Sequence, residues 1–245
     1  MCAICGKPSL QHGPGYSRRN FLKLVGGAGL ALAATGQGLF AAPATTPKPQ
    51  NVLTPEQALA RLKKGNERYV EGIAKRHDFK AEREALVGGQ NPYAGILSCA
   101  DSRIAPEYTF DAGRGDLFVV RVAGNFADVD GTASFEYAVK FLGTTLLVVL
   151  GHDKCGAVSA AIDAEKGGKL PGHLPELVEH IIPAVKKAQH LEGNLLSASI
   201  RENVRINVEN LKTASPILSQ AVQEKKVMVV GGIYKLEDGR IDWLD

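Results

Sequence analysis

The sequence predicts an α/β fold, a mostly parallel β-sheet flanked by helices, and three observations predict it. Four short apolar runs rich in β-branched residues, Tyr93–Cys99, Leu117–Val122, Thr144–Gly151 and Val227–Ile233, have the near-continuous hydrophobicity of strands buried on both faces. Helical patterns separate them, the alternation expected of parallel strands joined by crossovers. Chemistry-bearing residues stand directly after two of the runs, at strand ends where open α/β sheets gather their ligands.

Taken in order, the chain of 245 residues divides into a signal segment over 1–44, a linker over 45–52 and one domain over 53–245. Ser17-Arg18-Arg19-Asn20-Phe21-Leu22-Lys23 is a twin-arginine signature, followed by a mildly apolar stretch from Leu24 to Phe40 and an A-x-A site at Ala42-Pro43-Ala44. This pattern implies export to the periplasm by the twin-arginine (Tat) machinery. A membrane anchor is the competing reading, weakened by the glycines at 26, 27, 29, 36 and 38, since a span wants about twenty strongly apolar residues. Four of the 29 basic residues and none of the 26 acidic ones lie in 1–44, leaving 25 against 26 and a net charge near −1. Apparent basicity thus belongs to the targeting segment, and no nucleic acid or anionic membrane is expected as a partner. Cys2 and Cys5 precede the signature and have no second pair to complete a zinc ribbon, so they read as neutral.

Thr54-Pro55-Glu56-Gln57 starts a helix with an N-cap, proline at N1 and glutamine at N3. It runs through about Val70 and is expected to pack on the domain or to reach a partner subunit. Further helices are predicted over Thr132–Leu142, Cys155–Glu165, Leu174–His190 and Ala198–Lys225, the last interrupted near Ser215-Pro216. A short strand from Ile241 follows the turn Glu237-Asp238-Gly239.

Two motifs carry the chemistry. Cys99-Ala100-Asp101-Ser102-Arg103 follows the first strand, and Gly151-His152-Asp153-Lys154-Cys155-Gly156 follows the third. If these strands are neighbours, Cys99, His152 and Cys155 converge as a three-ligand zinc set with an open fourth position, the pattern of a catalytic site. Zinc there would bring a bound water close to ionising near neutral pH and so supply a hydroxide nucleophile. Asp101 is placed to accept a hydrogen bond from that hydroxide or to bind the metal. Arg103 is placed to clamp Asp101 in a bidentate pair that keeps it ionised. A helix opening at Cys155-Gly156-Ala157 adds N–H groups favouring thiolate and anionic product alike. The competing reading of Cys99 and Cys155 is a disulfide, as the oxidising periplasm permits. Export of an already folded protein favours metal captured beforehand.

With both motifs at strand ends, the sequence resembles a β-class carbonic anhydrase from about Leu53 onward. Gly89-Gln90-Asn91-Pro92, Pro106-Glu107, the block Gly115 to Asn125, the block Ser134 to Val139 and Gly232-Ile233-Tyr234 carry the rest of the likeness. The resemblance implies zinc on Cys99, His152 and Cys155, an Asp101–Arg103 dyad, and reversible hydration of carbon dioxide to bicarbonate and a proton. It also implies that Gln90 donates a hydrogen bond to substrate while Phe118 and Tyr137 line the pocket, partly across the interface of a homodimer or higher homo-oligomer. One subclass has a bicarbonate inhibition pocket that needs a tryptophan before the first zinc cysteine. The sole Trp243 lies near the C-terminus, which argues against that pocket and for a resting site with Asp101 off the metal.

Two alternatives stand beside hydration. One is hydrolysis of carbonyl sulfide or carbon disulfide on the same scaffold, and the other an exported zinc-binding or redox protein without hydration activity. Histidines 77, 173, 180 and 190 lack metal-like spacing and read as surface or packing residues. Tyr137 could be plain core, Gln90 a loop cap, and Asp101–Arg103 a structural ion pair.

Overall fold

A computed structural model describes residues 51–244, and the signal segment and most of the 45–52 linker lie outside the described residues. Five strands form one sheet: β1 (Ala94–Ser98), β2 (Leu117–Arg121), β3 (Leu146–His152), β4 (Met228–Tyr234) and β5 (Ile241–Leu244), in the order β2-β1-β3-β4-β5. The first four are mutually parallel and β5 closes the edge antiparallel to β4. Every residue of β1 and β3 is buried, which is why both read as unbroken apolar runs.

Helix α1 (Pro55–Val70) begins as its sequence predicts: the Thr54 hydroxyl accepts from Gln57 N while the Gln57 side chain accepts from Thr54 N. Ala58 and Leu62 are fully buried against Ile96, Leu146, Val148 and Leu150, so α1 is a packing helix on one face of its own sheet. Asn51 is drawn into this face, its amide donating to Asn91 O at 2.6 Å and Asp116 Oδ1 at 3.0 Å. The opposite face is covered by α4 (Val129–Leu142), α5 (Gly156–Glu165), α6 (Leu174–Glu179), α7 (Ile182–Ala188), α8 (Leu195–Thr213) and α9 (Pro216–Gln223).

The segment read as one helix over 174–190 is two, α6 and α7. Pro183 lacks the N–H that a continuous helix would donate to Glu179, and its ring crowds that carbonyl, so the chain restarts at Ile182. The break at Ser215-Pro216 is present, with Ser215 Oγ accepting from Leu218 N. Asp128 starts α4 three residues earlier than the apolar pattern suggests, its Oδ1 accepting from Gly131 N at 2.7 Å. Two short helices escape the pattern altogether: α2 (Phe79–Ala85), which buries no residue, and the single turn α3 (Pro106–Thr109).

Candidate metal centre at the carboxyl ends of β1 and β3

Because β1 and β3 are neighbours with Ser98 opposite Leu150, the residues just beyond them share one crest. Cys99 follows β1, His152 ends β3, and Cys155 is the N-cap residue of α5. Their ligand atoms lie within 4.8 Å of one another, and all three residues are buried. Among the described residues this is the one His/Cys/Asp/Glu group of three or more placed to hold a metal ion. Both sulfurs are free, so the disulfide reading does not describe this structure.

The imidazole is prepared as a ligand. His152 Nδ1 lies 2.8 Å from Asp153 O, a carbonyl that can only accept, so Nδ1 carries the proton and Nε2 the lone pair. Nε2 is buried and has no hydrogen-bond partner. A buried polar atom is rarely left so, and this one sits with two sulfurs that also lack any covalent partner. The donor set, its tautomer and its spacing fit zinc.

The two thiols share a proton unequally. A hydrogen bond from Cys155, helped by one from the Gly124 amide, outweighs burial and brings the Cys99 thiol well below its usual range. Cys155 is pushed up, first by that same bond to Cys99 and then by burial. Gly124 N reaches Cys99 Sγ at 3.3 Å. Gly124 has φ +88, and a β-carbon there would lie 2.4 Å from Ile181 Cδ1, so only glycine brings its amide to the sulfur.

Beside the ligands, Arg103 Nε donates to Asp101 Oδ1 at 2.9 Å and Nη2 to Oδ2 at 2.6 Å, the bidentate pair read from the sequence. Arg103 N also donates to Oδ1. These bonds, the guanidinium foremost, hold the Asp101 carboxyl well below the usual carboxylate range. Oδ2 is 3.9 Å from His152 Nε2, which places the ionised carboxylate at the rim of the ligand set.

Several residues that position this crest were not singled out from the sequence. Arg121, at the end of β2, donates to Cys99 O at 3.0 Å and to Asp101 O at 2.8 Å, pinning the first motif. Asp153 N donates to Tyr234 O at 3.1 Å and Asp153 Oδ1 accepts from Leu236 N at 2.9 Å, fastening the second motif to the end of β4. Arg121 and Gly124 belong to the block Gly115 to Asn125, whose glycine after a strand was the available signal.

Of the expected pocket residues, Gly156 adjoins the metal group, while Gln90, Phe118 and Tyr137 lie away from Cys99 of the same chain. Gln90 is exposed ahead of β1, at the opposite end of that strand from Cys99. Phe118 pairs in register with Gly95, near the start of β1, and its ring packs 6.5 Å from Tyr137 of α4. Tyr137 is 42% exposed and its ring lies tilted against Phe141, centroids 5.4 Å apart. Gly156 opens α5 next to Cys155, with open space where a side chain would stand. His77 bonds Glu82 at 2.9 Å and His180 stacks on Phe126 at 4.2 Å, while His173 and His190 are exposed and none of the four joins the metal group. Trp243 packs by Phe110 at 6.4 Å, within the α1 face of the core.

Residues 94–241 match the family model described as carbonic anhydrase. Carbonic anhydrase 2 of Mycobacterium tuberculosis is 40% identical over 188 residues, 76% of this chain and 91% of that protein. The β-carbonic anhydrase CafA of Aspergillus fumigatus superposes with a TM-score of 0.57 at 30% identity, over 78% of this chain and 90% of that one. One of two tetrameric β-carbonic anhydrases of Sordaria macrospora gives 0.58 at 26% identity, over 69% and 86%. With this sheet, this crest and these relatives, the chain belongs to the β-class carbonic anhydrases.

Proposed function

We propose that the protein reversibly hydrates carbon dioxide to bicarbonate and a proton, with one zinc ion per chain held by Cys99, His152 and Cys155. The observation that carries this reading is His152 Nε2, a buried lone pair without a protein partner, grouped with two free sulfurs within 4.8 Å. Zinc bound there supplies the Lewis acidity that ionises a water near neutral pH and makes it nucleophilic toward the substrate carbon.

The chain's own side chains do the orienting. Asp101, held ionised by Arg103, is a pure acceptor, and it selects an O–H donor at the crest. Its Oδ2 is the oxygen turned toward His152, so an attacking O–H that donates to Oδ2 keeps its lone pair free for substrate. Arg103 fixes the carboxylate's direction through its planar fork.

Carbon dioxide is small and apolar, and an apolar pocket with a single amide donor suits it. Phe118 and Tyr137 supply apolar walls and Gln90 the donor. Since these lie toward the amino ends of β1 and β2, away from their own Cys99, they serve the metal centre of a second copy in a homodimer or larger assembly. The tetrameric relatives from Sordaria macrospora support that assembly. Export to the periplasm by the twin-arginine route belongs to the same proposal, supported by Arg18-Arg19 and the apolar stretch after them.

Zinc analysis joined to stopped-flow hydration on the exported protein tests the reading. About one zinc per chain with turnover is expected. A folded, zinc-loaded sample inactive at every pH between about 6 and 9 would contradict it. Replacing Arg18 and Arg19 by lysine is expected to retain the protein in the cytoplasm, and unaltered fractionation would remove the export part alone.

A further inference from the structure

The loop after β2 carries the amide that reaches Cys99, yet it has no regular structure to hold it. Gly124 and Asn125 are both left-handed, at φ +88 and +42. Its support comes from α8, eighty residues away in the chain. Asn203 Nδ2 donates to Gly124 O at 2.7 Å, and Asn207 Oδ1 accepts from Ala127 N at 2.8 Å. Asn207 Nδ2 donates back to Asn203 O at 2.8 Å and lies 3.3 Å from Asn203 Oδ1, so the two amides form a ladder one helical turn apart. Asn203 is 1% exposed and Asn207 2%, a depth at which each polar atom must find a partner.

The height of α8 over the sheet is fixed between these two residues. Val204 sits where a β-carbon on Gly151 or Gly231 would approach within 2.6 Å of its methyls, so β3 and β4 present bare backbone to it. One seat thus sets both the end of β3, where His152 stands, and the position of Asn203.

We infer that Asn203 is a positioning residue for the metal centre: by holding the Gly124 carbonyl it aims the Gly124 N–H at Cys99 Sγ, and so sets how much charge that sulfur gives the metal. The inference rests on the zinc reading of Cys99, His152 and Cys155. An N–H directed at a thiolate stabilises the sulfur lone pairs, and partners of this kind commonly govern metal affinity by about tenfold to a hundredfold. Without Asn203 the Gly124 carbonyl loses its donor, the loop relaxes, and the sulfur stands barer.

Cobalt(II) substitution reads this directly through the sulfur-to-metal charge-transfer band. With the hydrogen bond weakened, filled sulfur levels rise and the band moves to longer wavelength. Asn203→Ala and Asn203→Ser, neither able to reach Gly124 O, are expected to show that shift and to bind cobalt about tenfold or more weakly. Leu211→Ala, a buried truncation about two turns beyond Asn203 on the same helix, is expected to lower Tm while leaving the band in place. An unshifted band in whichever Asn203 variant folds, or an equal shift in Leu211→Ala, would overturn the inference. Wild-type protein that takes up no cobalt would overturn the zinc reading and this inference with it.

Discussion

Two aspartate–arginine pairs stand at opposite ends of the same sheet and differ in what surrounds them. Asp116, just before β2, is 6% exposed and is fully engaged: Arg61 donates to Oδ2 at 2.9 Å, Gly113 N to Oδ2 at 2.9 Å, and Asn51 to Oδ1 at 3.0 Å. The pair joins residues 55 apart and ties α1 to the sheet. Asp101 and Arg103 are two residues apart, and across the crest Arg103 Nη2 makes only a long reach of 3.5 Å to Lys154 O; Arg103 is half exposed. What distinguishes them is the neighbour. Asp101 Oδ2 faces a histidine nitrogen with no partner and two free sulfurs, whereas every group around Asp116 has its complement. Completed polar clusters hold a fold, and a cluster left open with matched donor atoms is a site.

That contrast can be broken at several points. The largest effect is expected from His152→Ala, which removes a ligand: zinc content and hydration should both fall to background, and retained turnover would separate activity from the crest. Asp101→Asn is next. It keeps the shape but spoils the acceptor, so zinc should stay bound while kcat/KM drops about 10²- to 10³-fold, within the range of a positioned proton acceptor. Unchanged turnover would reduce Asp101–Arg103 to a structural ion pair.

Asp116→Asn should do the reverse, costing about 1–3 kcal/mol in denaturant unfolding with kcat nearly unaltered. A loss of kcat without loss of stability would undo the division between the two ends. Acid dependence sharpens the comparison further. Arg103 lowers the Asp101 carboxyl in the folded state, so the pair's contribution is present above the unfolded value of about 3.9 and is lost as pH falls through the lowered folded value. The Tm difference between wild type and Arg103→Ala should therefore be level above about pH 5 and shrink in stronger acid; a difference growing on acidification would reverse the assigned sign. The smallest expected effect is that of Tyr137→Ala on a single folded chain, because Tyr137 is 42% exposed. Its consequence should appear as lower kcat/KM and a weakened assembly in light scattering, and an active monomer would show that each chain completes its own pocket.

The crest was legible because its ligands lie in two short motifs directly after buried strands, and an unbroken β-branched apolar run bounded by glycine and polar residues is a plain local signal. The capping box at Thr54 and the Asp101–Arg103 clamp were equally local, each written within three residues. Neighbourhood of β1 and β3 was only a condition in the sequence, and pairing between distant segments has no local code. Asn203 escaped for that reason: a buried asparagine on an otherwise amphipathic helix declares itself only when Gly124 is found opposite. Helix α2 escaped because it buries nothing, so no apolar stripe marks it. Pro183 is the local mark of the break within 174–190, and the apolar spacing on either side of it masks that mark.

Zinc-edge X-ray absorption on the purified protein tests the central claim most directly. The crest calls for two sulfur neighbours at about 2.3 Å together with lighter nitrogen or oxygen neighbours near 2.0–2.1 Å, and for loss of one sulfur in Cys155→Ala. A metal shell with no sulfur, or a protein whose Cys99 and Cys155 are joined to each other in its active form, would contradict the account.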